Sequence, residues 1–211
     1  MDTPFSLAMA LRWLQGFHER VLAQERQLTE LDAAIGDADH GTNMARGVRA
    51  VIAQLEADPP ATLEALFRGA GMALVRSVGG ASGPLYGTFF LRCATAAGPT
   101  AELDAIRLVA VLGSGLAGIA ERGHAAVGDK TMLDALAPAL EALEASLVSG
   151  TPMAPAAAAA SAAAAAGRDG TGPLLARRGR ASYLGERSIG PIDPGATSMA
   201  LLIEALAAAV A

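Results

Sequence analysis

Leu31-Asp-Ala-Ala-Ile-Gly-Asp-Ala-Asp-His-Gly-Thr-Asn-Met-Ala-Arg-Gly47 is the stretch on which the reading of this chain turns. Asp32, Asp37 and Asp39 fall within eight positions, and no Lys or Arg lies between Arg26 and Arg46 to neutralise them. On one unbroken helix, at about 100° per residue, the three carboxylates point in different directions. Gly36 offers a way out, because glycine can end a helix and turn the chain. Gly41-Thr42-Asn43 then has the look of a new helix start. The unit is therefore helix, acidic turn, helix. Three acids gathered at such a turn repel one another unless a cation sits between them. Hard oxygen ligands with open positions suit Mg²⁺, which keeps water or phosphate as its remaining ligands. The helix start adds free N–H groups for the same phosphates. A Mg–nucleotide phosphate site is one reading, and a solvated acidic loop with an N-cap is the other.

Working outward, the flanking chain is helical. Leu7, Leu11, Leu14, Phe17 and Val21 recur at helical spacing, with Thr3-Pro4 as the expected start. His18 beside this stripe reads as a structural or surface histidine. Downstream of the acidic turn, Met44, Val48, Val51, Ile52 and Leu55 form one face, which Asp58-Pro59-Pro60 ends. Thr62 caps a helix bearing Leu63, Leu66, Phe67, Ala70, Leu74 and Val78. Gly79-Gly-Ala-Ser-Gly-Pro84 turns into the next helix, with Pro84 in its first turn. It exposes backbone N–H groups, but no Gly-Lys-Ser/Thr follows, so it is not a Walker loop.

A long helix is expected over Glu102–Arg122, where Gly113, Gly115 and Gly118 each cost about 1 kcal/mol relative to Ala and permit close helix contact in return. Gly123 to Asp134 repeats the opening unit: glycine, acid, helix start. Lys130, the chain's single lysine, reads there as a phosphate or partner contact, or as an ion pair with Asp129 or Asp134. The alanine run 154–166 reads as a helix of modest amphipathicity. A glycine-punctuated loop with Arg177, Arg178 and Arg180 follows. Long loops in compact domains are often functional, and this arginine group is suited to phosphates or an acidic partner; a solvated basic loop is the alternative. Asp193-Pro194-Gly195 opens the last helix, with Asp193 as N-cap and Pro194 at its first position.

Composition agrees with a helical core of small residues. Of the 211 residues 52% are hydrophobic but only 4% aromatic. A net charge of −5 argues against general nucleic-acid binding. The single cysteine, Cys93, excludes an intramolecular disulfide and reads as a buried small hydrophobe. The chain has no secretion-signal layout at its start, and its alanine run is too short and too weakly apolar to span a membrane. These features point to a cytoplasmic protein without a membrane segment.

No period-2 alternation marks a strand, so the expected fold is all-α: about eight helices joined by glycine-rich turns. In an up-and-down arrangement every second connection lies at the same end. The turns at Asp37–His40, Gly80–Ser82, Gly123–Thr131 and Arg180–Gly195 then converge. That convergence favours the phosphate site over the solvated loop.

Taken together, Gly36-Asp-Ala-Asp-His-Gly-Thr-Asn43, Gly79-Gly-Ala-Ser-Gly-Pro-Leu85, Gly128-Asp-Lys-Thr-Met132, Gly179–Gly190 and Asp193-Pro-Gly-Ala-Thr-Ser198 resemble the nucleotide-binding L subunit of dihydroxyacetone kinase. The match spans almost the whole chain in the right order, and Ala38 matches one common variant of the acidic motif. The resemblance implies one domain over residues 1–211, an eight-helix antiparallel barrel-like bundle with Mg-ADP at one end. It implies that Asp32, Asp37 and Asp39 hold two Mg²⁺ ions. It further implies nucleotide contacts from His40, Gly41, Thr42, Asn43, Ala81, Ser82, Gly123, Met132, Arg180, Asp193, Pro194 and Gly195. No catalytic nucleophile is assigned. His40 is expected to donate to a phosphate oxygen or to orient a metal ligand.

The free-standing length resembles the phosphotransferase-system form. In that form a phosphohistidine partner rephosphorylates bound ADP to ATP, and the phosphate passes to dihydroxyacetone on a separate K subunit. Arg177, Arg178 and Lys130 are then candidates for a partner-facing rim. Three alternatives stay open: an L subunit of a two-component ATP-dependent kinase, a short ketose such as a tetrulose as acceptor, and a nucleotide-loaded co-regulator of a transcription factor. A homodimer is also possible.

Overall fold

The computed structural model describes residues 3–211. Among them are nine α-helices: α1 (Leu7–Ala23), α2 (Glu25–Ile35), α3 (His40–Ala57), α4 (Leu63–Ser77), α5 (Ser82–Ala97), α6 (Ala105–Gly123), α7 (Leu133–Val148), α8 (Met153–Asp169) and α9 (Pro194–Val210). A run of 3-10 turns covers Arg180–Ser188, with a break at Gly185. Eight helices close into a ring. In order, α1, α3, α4, α5, α6, α7, α8 and α9 each pack on the next, and α9 packs back on α1. The ninth helix, α2, is separated from α1 only by Gln24 and lies against α3, α9 and the 3-10 turns. The all-α class and the eight-membered barrel-like ring both hold.

The ring closes through Trp13, which is fully buried. Its Nε1–H donates to Leu202 O of α9 at 2.8 Å, so the indole's one polar atom is satisfied inside the core. Phe5, Phe67 and Phe90 surround it at centroid distances of 5.9–6.3 Å. Phe17, Tyr86 and Phe89 are the other buried aromatics, and the rest of the core is mostly Leu, Val and Ala with a few Met and Ile. Of Gly113, Gly115 and Gly118 in α6, two permit close packing. A Cβ on Gly115 would run into Phe89 and Cys93, and one on Gly118 into Arg92, whereas Gly113 meets nothing. Cys93 is buried, as expected.

Two boundaries differ from the sequence expectation, for one reason. Phe5–Ser6 (β1) pairs antiparallel with Glu102–Leu103 (β2). Extended pairing at those residues delays both following helices. α1 therefore starts after Ser6, whose Oγ accepts from Met9 N–H at 3.3 Å, not at Thr3-Pro4. α6 starts after Asp104, whose Oδ1 accepts from Arg107 N–H at 2.8 Å, not at Glu102. Two-residue strands are too short to leave a period-2 signature. Among the described residues no helix is long and apolar enough to cross a membrane.

Candidate functional site

Every second connection of the ring borders a single cavity of about 490 Å³. The α2–α3, α4–α5 and α6–α7 turns and the segment leading into α9 all contribute to its wall. Helices running alternately up and down produce this convergence. The N-termini of α3, α5, α7 and α9 therefore meet at the cavity, each bringing the positive end of a helix dipole.

The acidic turn forms one side. Gly36 follows the last residue of α2, and a Cβ there would collide with the Asp32 carboxylate. Asp32 is buried. Its Oδ2 accepts from Asp39 N–H at 2.8 Å and from His40 N–H at 3.1 Å, capping α3 from the preceding helix. Asp37 and Asp39 are exposed, and Ala38 between them takes a positive φ of 61°. One oxygen from each of Asp32, Asp37 and Asp39 lies within 4.8 Å of the others. Three carboxylates so close, two of them open to solvent, fit a hard divalent ion with room for further oxygen ligands. Arg180 reaches across the mouth, with Nε 2.9 Å from Asp37 Oδ2.

His40 stands behind the acids, buried. Its Nδ1 lies 3.2 Å from Ser82 Oγ and its Nε2 2.9 Å from Ser198 Oγ. Tyr86 OH lies 2.8 Å from Ser198 Oγ, which in turn donates to Gly195 O at 3.1 Å. One proton assignment satisfies every member: Ser82 O–H donates to Nδ1, while Nε2–H and the Tyr86 O–H both donate to Ser198 Oγ. Burial lowers the His40 pKa against the opposing pull of Asp32 and Asp39, so the ring is neutral at physiological pH. With both nitrogens engaged inside the protein, His40 is placed to fix Ser82 and the start of α9. Ser198 and Tyr86 were missed in the sequence because an isolated Ser or Tyr on an apolar face carries no spacing signal.

The far wall is built by Asp193. Its Oδ2 accepts from Ala196 N–H at 2.6 Å, confirming the expected N-cap with Pro194 in the first turn. Burial pushes its carboxyl up to about 7, reinforced by Asp134 and Asp32 and opposed by the Ala196 N–H and by Lys130. Lys130 itself contradicts the sequence reading. It is 1% exposed, so it is not a rim contact. No ion pair to Asp129 or Asp134 forms; Asp134 instead accepts from Thr131 N–H at 2.7 Å and from Gly128 N–H. Arg178, by contrast, is at the rim, with Nε 3.3 Å from Asp129 Oδ2.

Of the residues singled out from sequence, Asp32, Asp37, Asp39, His40, Asn43, Ala81, Ser82, Gly123, Met132, Arg180, Asp193, Pro194 and Gly195 all line the cavity. Gly41 and Thr42 do not. Gly41 faces α2, where a Cβ would strike Glu25 O and Thr29, and Thr42 is exposed. Leu85, Ile119 and Arg122, not anticipated, complete the wall. Leu85 and Ile119 sit on ordinary apolar helix faces, so nothing in their spacing marks them.

A family model described as the DAK2 domain matches residues 34–208. The chain belongs to the DAK2 domain family. Within it, the PEP-dependent dihydroxyacetone kinase 1 ADP-binding subunit DhaL of Listeria innocua is 45% identical over 197 residues, covering 93% of each chain. The PEP-dependent dihydroxyacetone kinase ADP-binding subunit DhaL of Escherichia coli is 42% identical, covering 97% of each. Asp32 lies just outside the DAK2 span, yet both alignments cover nearly the whole chain. Among solved structures, the dihydroxyacetone kinase of C. freundii in complex with AMP-PNP and Mg²⁺ matches 99% of this chain with a TM-score of 0.71 and 29% identity. Its native form matches 94% with the same TM-score and 30% identity. This DAK2 chain spans only about a third of that longer kinase, 34–35% of its length.

Proposed function

We propose that this chain, over residues 1–211, is a single nucleotide-binding domain acting as the ADP-binding, phosphoryl-transferring subunit of a dihydroxyacetone kinase. The observation that carries the reading is the Asp32–Asp37–Asp39 cluster on the wall of a cavity into which four helix N-termini open. Relatives of matching length that are named as ADP-binding subunits support it, as does the likeness to a kinase holding AMP-PNP and Mg²⁺.

Asp32, Asp37 and Asp39 would hold two Mg²⁺ ions, which supply charge neutralisation at the phosphates and help keep donor and acceptor oxygens in line. The protein's own groups do the rest. The starts of α5 and α9 present backbone N–H groups to phosphate oxygens. Ser82 is oriented by His40, and Arg180 provides a guanidinium beside the acids. Leu85 and Ile119 offer an apolar shelf suited to the flat face of a base. In this reading ADP itself is the phosphate carrier, and no covalent protein intermediate is assigned. The phosphate comes from a phosphohistidine donor protein of the phosphotransferase system and passes to dihydroxyacetone held on a separate K subunit. In that setting the protein works in the cytoplasm.

The test is phosphate transfer in a reconstituted mixture. With the phosphohistidine donor and the K subunit supplied, the ADP-loaded chain should convert dihydroxyacetone to its phosphate with only catalytic nucleotide. Turnover that requires stoichiometric ATP would replace this reading with a two-component ATP-dependent kinase.

A further inference from the structure

The chain's single lysine sits in a cage of main-chain oxygens. Lys130 Nζ lies 2.8 Å from Thr171 O, 3.2 Å from Gly172 O, 3.2 Å from Leu174 O and 2.6 Å from Pro191 O. An ammonium has three N–H bonds, so three donors face four acceptors. The arrangement is closer to ion coordination than to a set of directed hydrogen bonds. It also leaves no donor over for a phosphate. The residue takes a φ of 63°, a conformation uncommon for residues with a side chain. Burial lowers its pKa, and the Asp193 carboxylate opposes that shift.

The four oxygens come from both ends of one excursion of the chain. Thr171, Gly172 and Leu174 lead into it and Pro191 leads out. The ends are joined again where Gly190 N–H donates to Gly172 O at 2.9 Å and Asp193 N–H donates to Thr171 Oγ1 at 3.0 Å. Between them, residues 175–190 carry Arg178 and Arg180 to the cavity mouth, and the chain then runs directly into Asp193. Thr171 O also accepts from Leu174 N–H at 3.1 Å, as Gly172 O does from Gly190, so the ammonium is the donor that Leu174 O and Pro191 O depend on; four carbonyl dipoles converging on one point favour a cation there.

We propose that Lys130 is a positioning residue whose ammonium acts as a built-in monovalent cation, coordinating the Thr171, Gly172, Leu174 and Pro191 carbonyls to hold the 175–190 excursion over the cavity with Arg180 and Asp193 in place. Truncating the side chain leaves a ring of carbonyls that potassium or ammonium can enter and tetramethylammonium cannot.

The excursion contains Arg177, Arg178, Arg180 and Arg187, which makes its opening readable with trypsin. The experiment compares the full-length wild type with Lys130→Ala and Lys130→Met, measuring tryptic cleavage at those arginines and the rate of Mg-ADP release. Both variants should be cleaved in the excursion, and release ADP, about tenfold faster than wild type. Ammonium or potassium chloride should restore the Ala variant at constant ionic strength but not the Met variant, whose side chain fills the cage; tetramethylammonium should restore neither. Wild-type rates in both variants overturn the proposal, and so does a defect in the Ala variant that no small cation reverses. A third arm needs no variant. In folded wild type, Lys130 should be acetylated by an amine-acylating reagent only as fast as the excursion opens, and reactivity like that of an exposed amine overturns the proposal. The ADP arm rests on the nucleotide reading of the cavity. Failure of wild type to bind ADP would sink that reading while leaving the trypsin, cation and acetylation arms intact.

Discussion

Arg180 Nε lies 2.9 Å from Asp37 Oδ2, joining the 3-10 turns to the acidic turn across the mouth of the cavity. The two side chains are 68% and 36% exposed, so the pair adds at most about 1 kcal/mol to stability. Its importance is positional, since the guanidinium sits where a phosphate oxygen beside Asp37 would need a counter-charge. Arg180→Ala should leave the thermal midpoint within about 2 °C of wild type. Calorimetric titration should show ADP affinity falling about tenfold, the scale of one charge-assisted hydrogen bond. An unchanged affinity would remove Arg180 from the nucleotide site.

Asp32 and Asp37 belong to the same cluster but carry different structural burdens. Asp32 is buried and caps α3 through two backbone N–H groups. Asp37 is exposed, and its recorded partner is Arg180. Asp32→Ala should cost about 1–3 kcal/mol of stability from the N–H groups it strands, and Mg-dependent ADP binding as well. Asp37→Asn should leave stability near wild type and weaken only the Mg-dependent binding. Denaturant unfolding and ADP titration on both variants check the split.

Asp193 makes the nucleotide-free protein sensitive to pH. Its carboxyl titrates near 7 when folded and near 4 in an unfolded chain. Below pH ~4 the group is protonated in both states and carries no penalty. Between about 4 and 7 the unfolded chain releases its proton first, so this group's contribution to stability declines as pH rises, by on the order of a few kcal/mol. The difference in unfolding free energy between wild type and Asp193→Asn should therefore shift against wild type from pH 5 to pH 7.5. A difference independent of pH would show that the buried carboxyl titrates normally.

Ser198 gathers His40, Tyr86 and Gly195 around one hydroxyl. Ser198→Ala strands two buried donors and should cost about 2–5 kcal/mol. It should also speed ADP release, because His40 no longer fixes Ser82. Ser198→Thr, which keeps the hydroxyl, should recover most of the ADP retention if the hydroxyl is what matters. Equal release rates in the Ala variant and wild type would confine Ser198 to a core role.

The parts of this molecule legible in its sequence are those written in local chemistry. Helical periodicity named the helices, and Thr62 and Asp193 announced their caps. The recurrent glycine–acid–helix unit placed the cavity wall, because in a ring of alternating helices such turns must meet. Long-range relationships left no local trace. Phe5–Ser6 finds Glu102–Leu103 across most of the first half of the chain. Lys130 looked like a surface cation because its type and its turn suggest one; only the return of residues 171–191 surrounds it with carbonyls. Gly41 lacks a side chain for a reason its turn does not show, since a Cβ there would strike Glu25 O and Thr29 of α2.

The most direct test of the central claim is calorimetric titration of the nucleotide-free protein with ADP, with Mg²⁺ present and again with the metal chelated. Binding at a ratio of one nucleotide per chain, weakened at least about tenfold by chelation and by Asp37→Asn, is the predicted result. No ADP binding, or binding indifferent to both Mg²⁺ and Asp37, would contradict it.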